Sequence, residues 1–529
     1  MRITLLFLLL LTVINGYKIV FFVLDISTSQ VIFNKRIAET LADRGHNVTM
    51  VLVKALDETR KNEIPIKENI NLYIVNGSIG VTREEFENQQ KSVMFEDYSL
   101  FDRKVWKSAQ TGRQFIFGSC RNILSNAEFL TWLKEQHFDL AFLYAFQACP
   151  VGLVHIGRIP SWIWLISSPL LDHVAQRIGV PSIPSYVPPM GMESHDTMTF
   201  YERVKSFLGH FLTYILWGRI VVNPETQLYR EIIDPSFPDL EDLAKHCPLV
   251  MVNSNDLYDL PRPSLAKVVN IGGMDMQYQG KPLPEDIAQI ASNADAVVIF
   301  SFGSITPITK MPTEWKIAFF RAFSNFPKVH FFVKYVGDDM KDIVSENVHL
   351  YEWLPQRDLL HHPKTKAFVT HGGINSVQES IYAGVPMICL ALFSDQPKNA
   401  KVIEKLEISV TLKKSQITEA TVTAAIREVL ENEKYSRTVK RLSQMVKKQP
   451  VSPKELLIKW TEFVAEFKTL DNLIPAGIEL NWIQYYSIDV IIFLMHIFCF
   501  VVLAVYKIFK FILMRIYRTL KSGNKLKMS

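Results

Sequence analysis

Phe368-Val369-Thr370-His371-Gly372-Gly373-Ile374-Asn375-Ser376-Val377-Gln378-Glu379 reads as a strand, a turn of two glycines and the opening of a helix. The glycines let the backbone turn tightly and come close to a ligand. The helix that opens near Ile374 leaves free N–H groups and the positive end of its dipole at the turn, a ready site for a phosphate. His371, Asn375 and Ser376 stand there as further donors. Glu379 lies one turn in, on the face of Asn375 and Ser376, where a carboxylate suits a ribose diol. Before this stretch comes Trp353-Leu354-Pro355-Gln356, with an indole able to stack on a base. After it come Ala383-Gly384-Val385-Pro386 and Phe393-Ser394-Asp395-Gln396, where Asp395 and Gln396 suit sugar hydroxyls. Each residue has a plainer reading alone: Trp353 as core, Glu379 as a solvated charge, His371 as a buried histidine. The ordered set argues for a site.

Working outward, apolar runs alternate with helical periods. Ala296–Phe302, Val329–Tyr335, Ala367–Thr370 and Val385–Leu390 read as strands, and Glu314–Phe326 and Ile374–Ala383 as helices. The N-terminal half begins the same way. Tyr17–Leu24 (YKIVFFVL) suits a buried parallel strand, Ser29–Arg44 carries Phe33, Ile37 and Leu41 on one face, Gly45 sits at the stop position, and Asn47–Val53 is the next strand. Strand, helix, strand makes a βαβ unit. Phe138–Tyr144 and Trp162–Ile166 add strands. Val180–Pro189 holds four prolines and reads as an ordered loop, and the aromatic-rich helix Phe200–Trp217 suits either a cover over a cleft or ordinary core. An irregular linker over Val252–Asn270 separates two doubly wound domains, 17–255 and 256–450. The expected ligand site is the cleft between them, at the carboxyl ends of the strands.

The two ends of the chain are apolar. MRITLLFLLLLTVING (1–16) has the charge, apolar run and small final residue of a signal peptide. Val490–Tyr506, within a segment set at 488–507, reaches the ~20 residues a membrane-spanning helix needs, and 451–487 reads as C-terminal helices and the approach to it. The tail 508–529 is basic, with Lys510, Arg515, Arg518, Lys521, Lys525 and Lys527 and no acid. Positive charge stays cytoplasmic, which puts the body in the lumen. Lys525 and Lys527 resemble an endoplasmic-reticulum retrieval signal, and the sequons at Asn47 and Asn76 suit N-glycans in that compartment. The net charge of +5 is small for 529 residues and gives no case for a nucleic-acid partner. The cysteine count, five, includes no CxxC pair. Cys120, Cys149, Cys247 and Cys389 read as small buried hydrophobes, with one bridge left open for a lumenal body.

The run Trp353–Gln396 resembles the signature of the UDP-glycosyltransferases, a family with the two-Rossmann-domain GT-B fold. Val252-Asn253-Ser254, Asn270-Ile271-Gly272-Gly273, Phe300-Ser301-Phe302-Gly303-Ser304 and Leu480–Val490 extend the likeness over nearly the whole chain. The resemblance implies that Trp353 stacks on uracil and that Gln356 and Glu379 hold the nucleoside. It gives the diphosphate to Ser304, His371, Gly373, Asn375 and Ser376, and the sugar to Asp395 and Gln396. Ala391 replaces a family proline, a small loop change. The implied reaction is inverting transfer of a hexose, glucose or glucuronic acid, from a UDP-sugar to a small lipophilic acceptor. No cofactor beyond the UDP-sugar and no metal is expected; no Asp-x-Asp triplet or GxGxxG occurs. The bilayer is a further partner, and homo- or hetero-oligomers with related transferases stay open.

The chain departs from the family at the catalytic base. Gln30 occupies the position of the expected histidine and Tyr144 that of its supporting aspartate. Neither accepts a proton usefully near neutral pH, so no base is assigned. Asp25 and His155 are the substitutes considered, acidic acceptors need little base help, and a member that binds UDP-sugar without turnover is the alternative.

Overall fold

A computed structural model describes residues 16–57, 64–96, 102–276, 280–303, 306 and 308–526. The leader 1–15, Ser304 and Lys527 lie outside the described residues.

Two parallel sheets organise residues up to Ile474. The first comprises β1 (Lys18–Leu24), β2 (Asn47–Lys54), β3 (Ile70–Asn76), β4 (Leu140–Leu143), β5 (Trp162–Ile166), β6 (Leu249–Val252) and β7 (Val268–Asn270). Its order is β3-β2-β1-β4-β5-β6-β7. The second comprises β8 (Ala296–Ser301), β9 (Val329–Lys334), β10 (Val348–Tyr351), β11 (Thr365–Thr370), β12 (Met387–Cys389) and β13 (Ser409–Thr411), in the order β10-β9-β8-β11-β12-β13.

The apolar runs are continuous because each sheet is covered on both faces. In β1, Val20, Phe22 and Leu24 enter one core while Ile19, Phe21 and Val23 enter the other. In β8, Val298 and Phe300 divide in the same way from Val297 and Ile299. Strand order reverses between β1 and β4 in the first sheet and between β8 and β11 in the second. These two switch points open the crevices in which ligands of doubly wound folds bind.

The helices that matter below are α1 (Thr28–Asp43), α2 (Arg103–Leu124), α3 (Cys149–Ile156), α4 (Asp172–Arg177), α5 (Phe200–Trp217), α6 (Asn223–Ile232), α7 (Ile374–Ala383), α8 (Gln396–Lys405) and α9 (Pro453–Phe467).

Three boundaries differ from the sequence expectation. The segment taken as a linker contains β7, which pairs with β6, so the first domain runs past 255 to Asn270. Pro261 and Pro263 mark a crossover within the domain, not its end. Helix α9, within the segment 451–487 read as C-terminal helices and membrane approach, returns to the first domain: Leu457, Val464 and Ala465 pack in the core behind β1. The apolar helix expected to end at 507 continues as one helix, Ile488–Leu526, so the basic tail is helical through Leu526. Its apolar stretch, Ile488–Leu520, has 33 residues, and none in its most apolar part is buried. At 1.5 Å per residue that is about 50 Å, longer than a ~30 Å hydrocarbon core.

The cysteine reading also changes. Cys120 of α2 and Cys149 of α3 form a disulfide, whereas Cys247 and Cys389 are free and buried as expected. Cysteines 29 residues apart carry no pairing signal in sequence; the packing of α2 beside α3 brings them together.

Candidate functional site

The second switch point assembles the quoted motif. Strand β11 ends at Thr370, Gly372 takes a left-handed φ of 79°, and Gly373 is the N-cap of α7 with no side-chain cap, so the first amides of α7 stay available. A Cβ on Gly373 would meet His371 Nε2 at 2.6 Å, and one on Gly303, after β8, would meet His371 Cε1 at 3.0 Å. The two glycines therefore form the walls that admit the imidazole. Burial, reinforced by the Lys334 ammonium, pushes the His371 pKa down to about 4. His371 is neutral at pH 7 and can donate one hydrogen bond but carries no charge.

Lys334, at the end of β9, donates to Gly303 O at 2.9 Å and lies 5.1 Å from the centre of the Trp353 ring. Trp353 is 73% exposed. The core reading of this residue is thereby excluded; its indole faces solvent, beside a cation. Gln356 Nε2 donates to Glu379 Oε2 at 2.7 Å and reaches Ser376 Oγ at 3.5 Å, so these three side chains form one polar group. Burial raises the Glu379 pKa, against the pull of Gln356, Arg357 and Arg36.

The loop after β12 supplies the remaining pair. Ser394 is held at a φ of 60°, a conformation stored mainly where surrounding structure demands it. Gln396 Oε1 accepts from Leu392 N at 3.0 Å and Phe393 N at 3.1 Å, which fixes the loop where Ala391 replaces the family proline. Asp395 Oδ2 accepts from Asn399 Nδ2 at 2.7 Å, and the same amide nitrogen donates to Gly372 O at 3.1 Å. Asn399 thus ties the loop after β12 to the glycine turn after β11. Burial raises the Asp395 pKa.

Trp353, Gln356, His371, Gly373, Asn375, Ser376, Glu379, Asp395 and Gln396 all lie at the carboxyl edge of the second sheet. Sequence reading missed the residues that join this edge to the first domain. Asn253, just after β6, donates to Asn375 Oδ1 at 2.8 Å, and Gln378 Nε2 donates to Asn253 O at 3.1 Å and to Asn253 Oδ1 at 3.0 Å. Arg36 of α1 and Arg357 both reach Asp275 Oδ2, at 2.9 and 3.3 Å. Gln378 stood inside the motif and Asn253 in a supporting stretch; Arg36, Asp275 and Lys334 had no signal.

The first switch point places the two departures. Gln30 lies in the first turn of α1, after β1, and Tyr144 directly follows β4. Tyr144 is buried, and its phenol titrates far above the ordinary range. Beneath it Glu225 of α6 is fully buried, accepts from Ala148 N at 2.7 Å, and has its pKa pushed up to about 8 by burial. His155 cannot substitute for the missing base: it ends α3, at the far end of that helix from β4's carboxyl terminus, with its ring against Phe237. Asp25 stands at the right edge, 3.9 Å from Arg83. A histidine not weighed from sequence, His173 of α4, stacks on Trp217 with ring centres 3.7 Å apart, and its Nε2 meets Ala145 O at 2.7 Å. A carbonyl only accepts, so Nε2 carries the proton and Nδ1 the lone pair. Burial lowers its pKa to about 3.

Fold and site together define an enzyme of the nucleotide-sugar transferase class. The family model described as UDP-glucoronosyl and UDP-glucosyl transferase matches residues 19–525. The chain is 30% identical to human UDP-glucuronosyltransferase 1A9 over 89% of its own length and 88% of that protein. It is 32% identical to mouse UDP-glucuronosyltransferase 1A1, covering 89% of this chain and 86% of that one. A putative UDP-glucuronosyltransferase of Caenorhabditis elegans, ugt-50, is 28% identical over 91% of this chain and 92% of its own. In fold it is similar to a UDP-glucosyltransferase from Polygonum tinctorium, with a TM-score of 0.55 and 15% identity over 86% of this chain and 99% of the other. The chain belongs to the UDP-glycosyltransferase family: it is a glycosyltransferase of GT-B fold with one C-terminal apolar helix suited to membrane anchoring.

Proposed function

We propose that this protein transfers glucose or glucuronic acid from a UDP-sugar to a small lipophilic acceptor, with inversion, as a detoxifying enzyme. In this reading it is a glycoprotein of the endoplasmic-reticulum membrane, made with a signal peptide, its body lumenal, its tail cytoplasmic, and Asn47 and Asn76 its glycan sites. Both asparagines are exposed. The observation that carries the reading is the uncapped start of α7 at Gly373, flanked by His371 and by the Gln356–Glu379 pair.

Trp353 stacks on uracil, Gln356 and Glu379 hold the nucleoside, and the amides at Gly373 with His371, Asn375 and Ser376 take the diphosphate. Asp395 and Gln396 orient the hexose. The acceptor oxygen bonds to the anomeric carbon as the bond to the diphosphate oxygen breaks. Charge gathering on UDP is met by backbone N–H groups and the neutral His371, which need no reorganisation at that moment. The scheme uses no metal and no cofactor besides the UDP-sugar.

The acceptor proton has a weak destination. Gln30 and Tyr144 do not titrate usefully, and His173 offers a lone pair of low basicity. This favours acidic acceptors, phenols and carboxylic acids, which release the proton readily. The same substitutions are what a nucleotide-binding member without turnover would carry, alone or paired with active relatives. Microsomes carrying the protein, given labelled UDP-glucose or UDP-glucuronate and a panel of phenols, separate the two. Labelled glycoside supports the transferase; UDP affinity without product assigns the binding role; no UDP affinity ends both.

A further inference from the structure

Helix α8 carries Lys398, Lys401 and Lys405 at spacings of three and four residues, which stacks them along one side of the helix. That side meets the first domain. Lys401 Nζ lies 3.8 Å from Glu193 Oε1, and the Lys405 ammonium pairs with Asp196. Glu193 and Asp196 belong to the segment that follows the proline-rich loop. Met190 N of that segment donates to Asp172 Oδ2 of α4 at 2.7 Å, which anchors it to the first domain. The outer two lysines are therefore neutralised by acids that the first domain brings across.

Lys398, the one nearest Asp395 and Gln396, is not. It is 3% exposed, yet its ammonium has no hydrogen bond and no ion pair among the described residues. A cation held out of water without a partner is costly. An anion that docks beside it offsets that cost through charge-assisted hydrogen bonds.

Its position in the chain indicates which anion. Lys398 stands in the first turn of α8, directly after the Asp395–Gln396 pair. Burial raises the Asp395 pKa against the pull of Asn399 and of the nearby Lys398 ammonium. The diphosphate has donors of its own at the uncapped start of α7. A hexose beside Asp395 and Gln396 offers a lysine no charge unless it is a uronate, with a carboxylate at C6.

We propose that Lys398 selects the donor sugar: its ammonium pairs with the C6 carboxylate of a hexuronate, which makes UDP-glucuronate preferred over UDP-glucose. On the reading that Asp395 and Gln396 hold the hexose, Lys398 is the residue that tells one hexose from the other. Glucose leaves the buried ammonium unpaired. A uronate without the lysine sets its carboxylate near Asp395. The preference thus has an attractive and a repulsive part.

The full chain, purified in detergent, is titrated calorimetrically with UDP, UDP-glucose and UDP-glucuronate. The parent is expected to bind UDP-glucuronate about tenfold more tightly than UDP-glucose, the scale of one hydrogen bond to a charged group. Lys398→Met keeps the aliphatic packing and should erase that ratio while UDP affinity is unchanged; Lys398→Arg should keep part of it. A parent with equal affinity for the two sugars overturns the proposal whatever the variants do. An equal loss for all three ligands in a folded Lys398→Met would give the lysine to the diphosphate, and no loss for any would leave it structural. Either overturns the proposal with the donor site intact. Titration of 4-hydroxybenzoate onto the UDP-loaded chain covers the acceptor. Weaker binding there in Lys398→Met, with UDP-glucuronate unaffected, assigns the ammonium to an acceptor carboxylate and also overturns it. A parent that bound none of the three nucleotides would instead end the UDP-sugar reading itself.

Discussion

Asn253 donates a hydrogen bond of 2.8 Å to Asn375, joining the end of β6 in the first domain to the first turn of α7 in the second. A residue of the first domain therefore orients a residue read as a diphosphate ligand. The Gln378 amide, bonded to both the main chain and the side chain of Asn253, holds that asparagine in place.

Asn253→Ala is expected to weaken UDP binding two- to tenfold, the range of about 0.5–1.5 kcal/mol for one hydrogen bond. Calorimetric titration with UDP reads this directly. Unchanged affinity would mean that Asn375 needs no orientation from the first domain.

Gly373→Val is expected to abolish measurable UDP binding, because its Cβ would sit 2.6 Å from His371 Nε2 and displace the imidazole from the glycine turn. Circular dichroism on the same sample checks that the fold persists. A valine variant that bound UDP normally would remove the turn from the donor site.

Trp353→Ala separates stability from binding. The ring is exposed, so the melting temperature should stay within a degree or two. Loss of stacking on a base costs about 1–3 kcal/mol, or roughly five- to 150-fold in affinity. A fall in melting temperature with intact affinity would return Trp353 to a structural role.

Glu225 gives a pH signature. Its folded pKa, about 8, lies above the ordinary value of 4.5, so between these the folded state holds the proton that the unfolded state has released. Stability from this group is full below about pH 4.5 and is lost as pH rises through about 8. Glu225→Gln, which keeps an oxygen for Ala148 N, should flatten that fall. Denaturant melts at pH 6 and pH 9 test it: the variant should gain on the parent at pH 9, and parallel behaviour of the two would refute the assignment.

Much of the molecule was legible in the chain alone. Runs such as Val20–Leu24 and Val297–Phe300 announce parallel strands because both faces of each sheet are covered and no polar alternation survives. Helix Phe200–Trp217 and strand Trp162–Ile166 fall on their expected bounds, and the strand, glycine turn and helix start read over Phe368–Ala383 stand where expected at the carboxyl edge of the second sheet. Short β7, the return of α9 to the first domain and the Cys120–Cys149 bridge were not legible, since each depends on partners far away in sequence.

Local chemistry written along the chain thus determined the two-domain fold, the family and which residues gather at the carboxyl edge of the second sheet. Tertiary packing alone decided which groups those residues lean on: Asn253 behind Asn375, Asn399 between two loops, Lys334 beside Trp353. It also decided that Phe200, Tyr201, Phe207, Phe211 and Tyr214 of α5 face outward. Helical periodicity reveals a stripe, but only the neighbouring elements determine whether that stripe is covered.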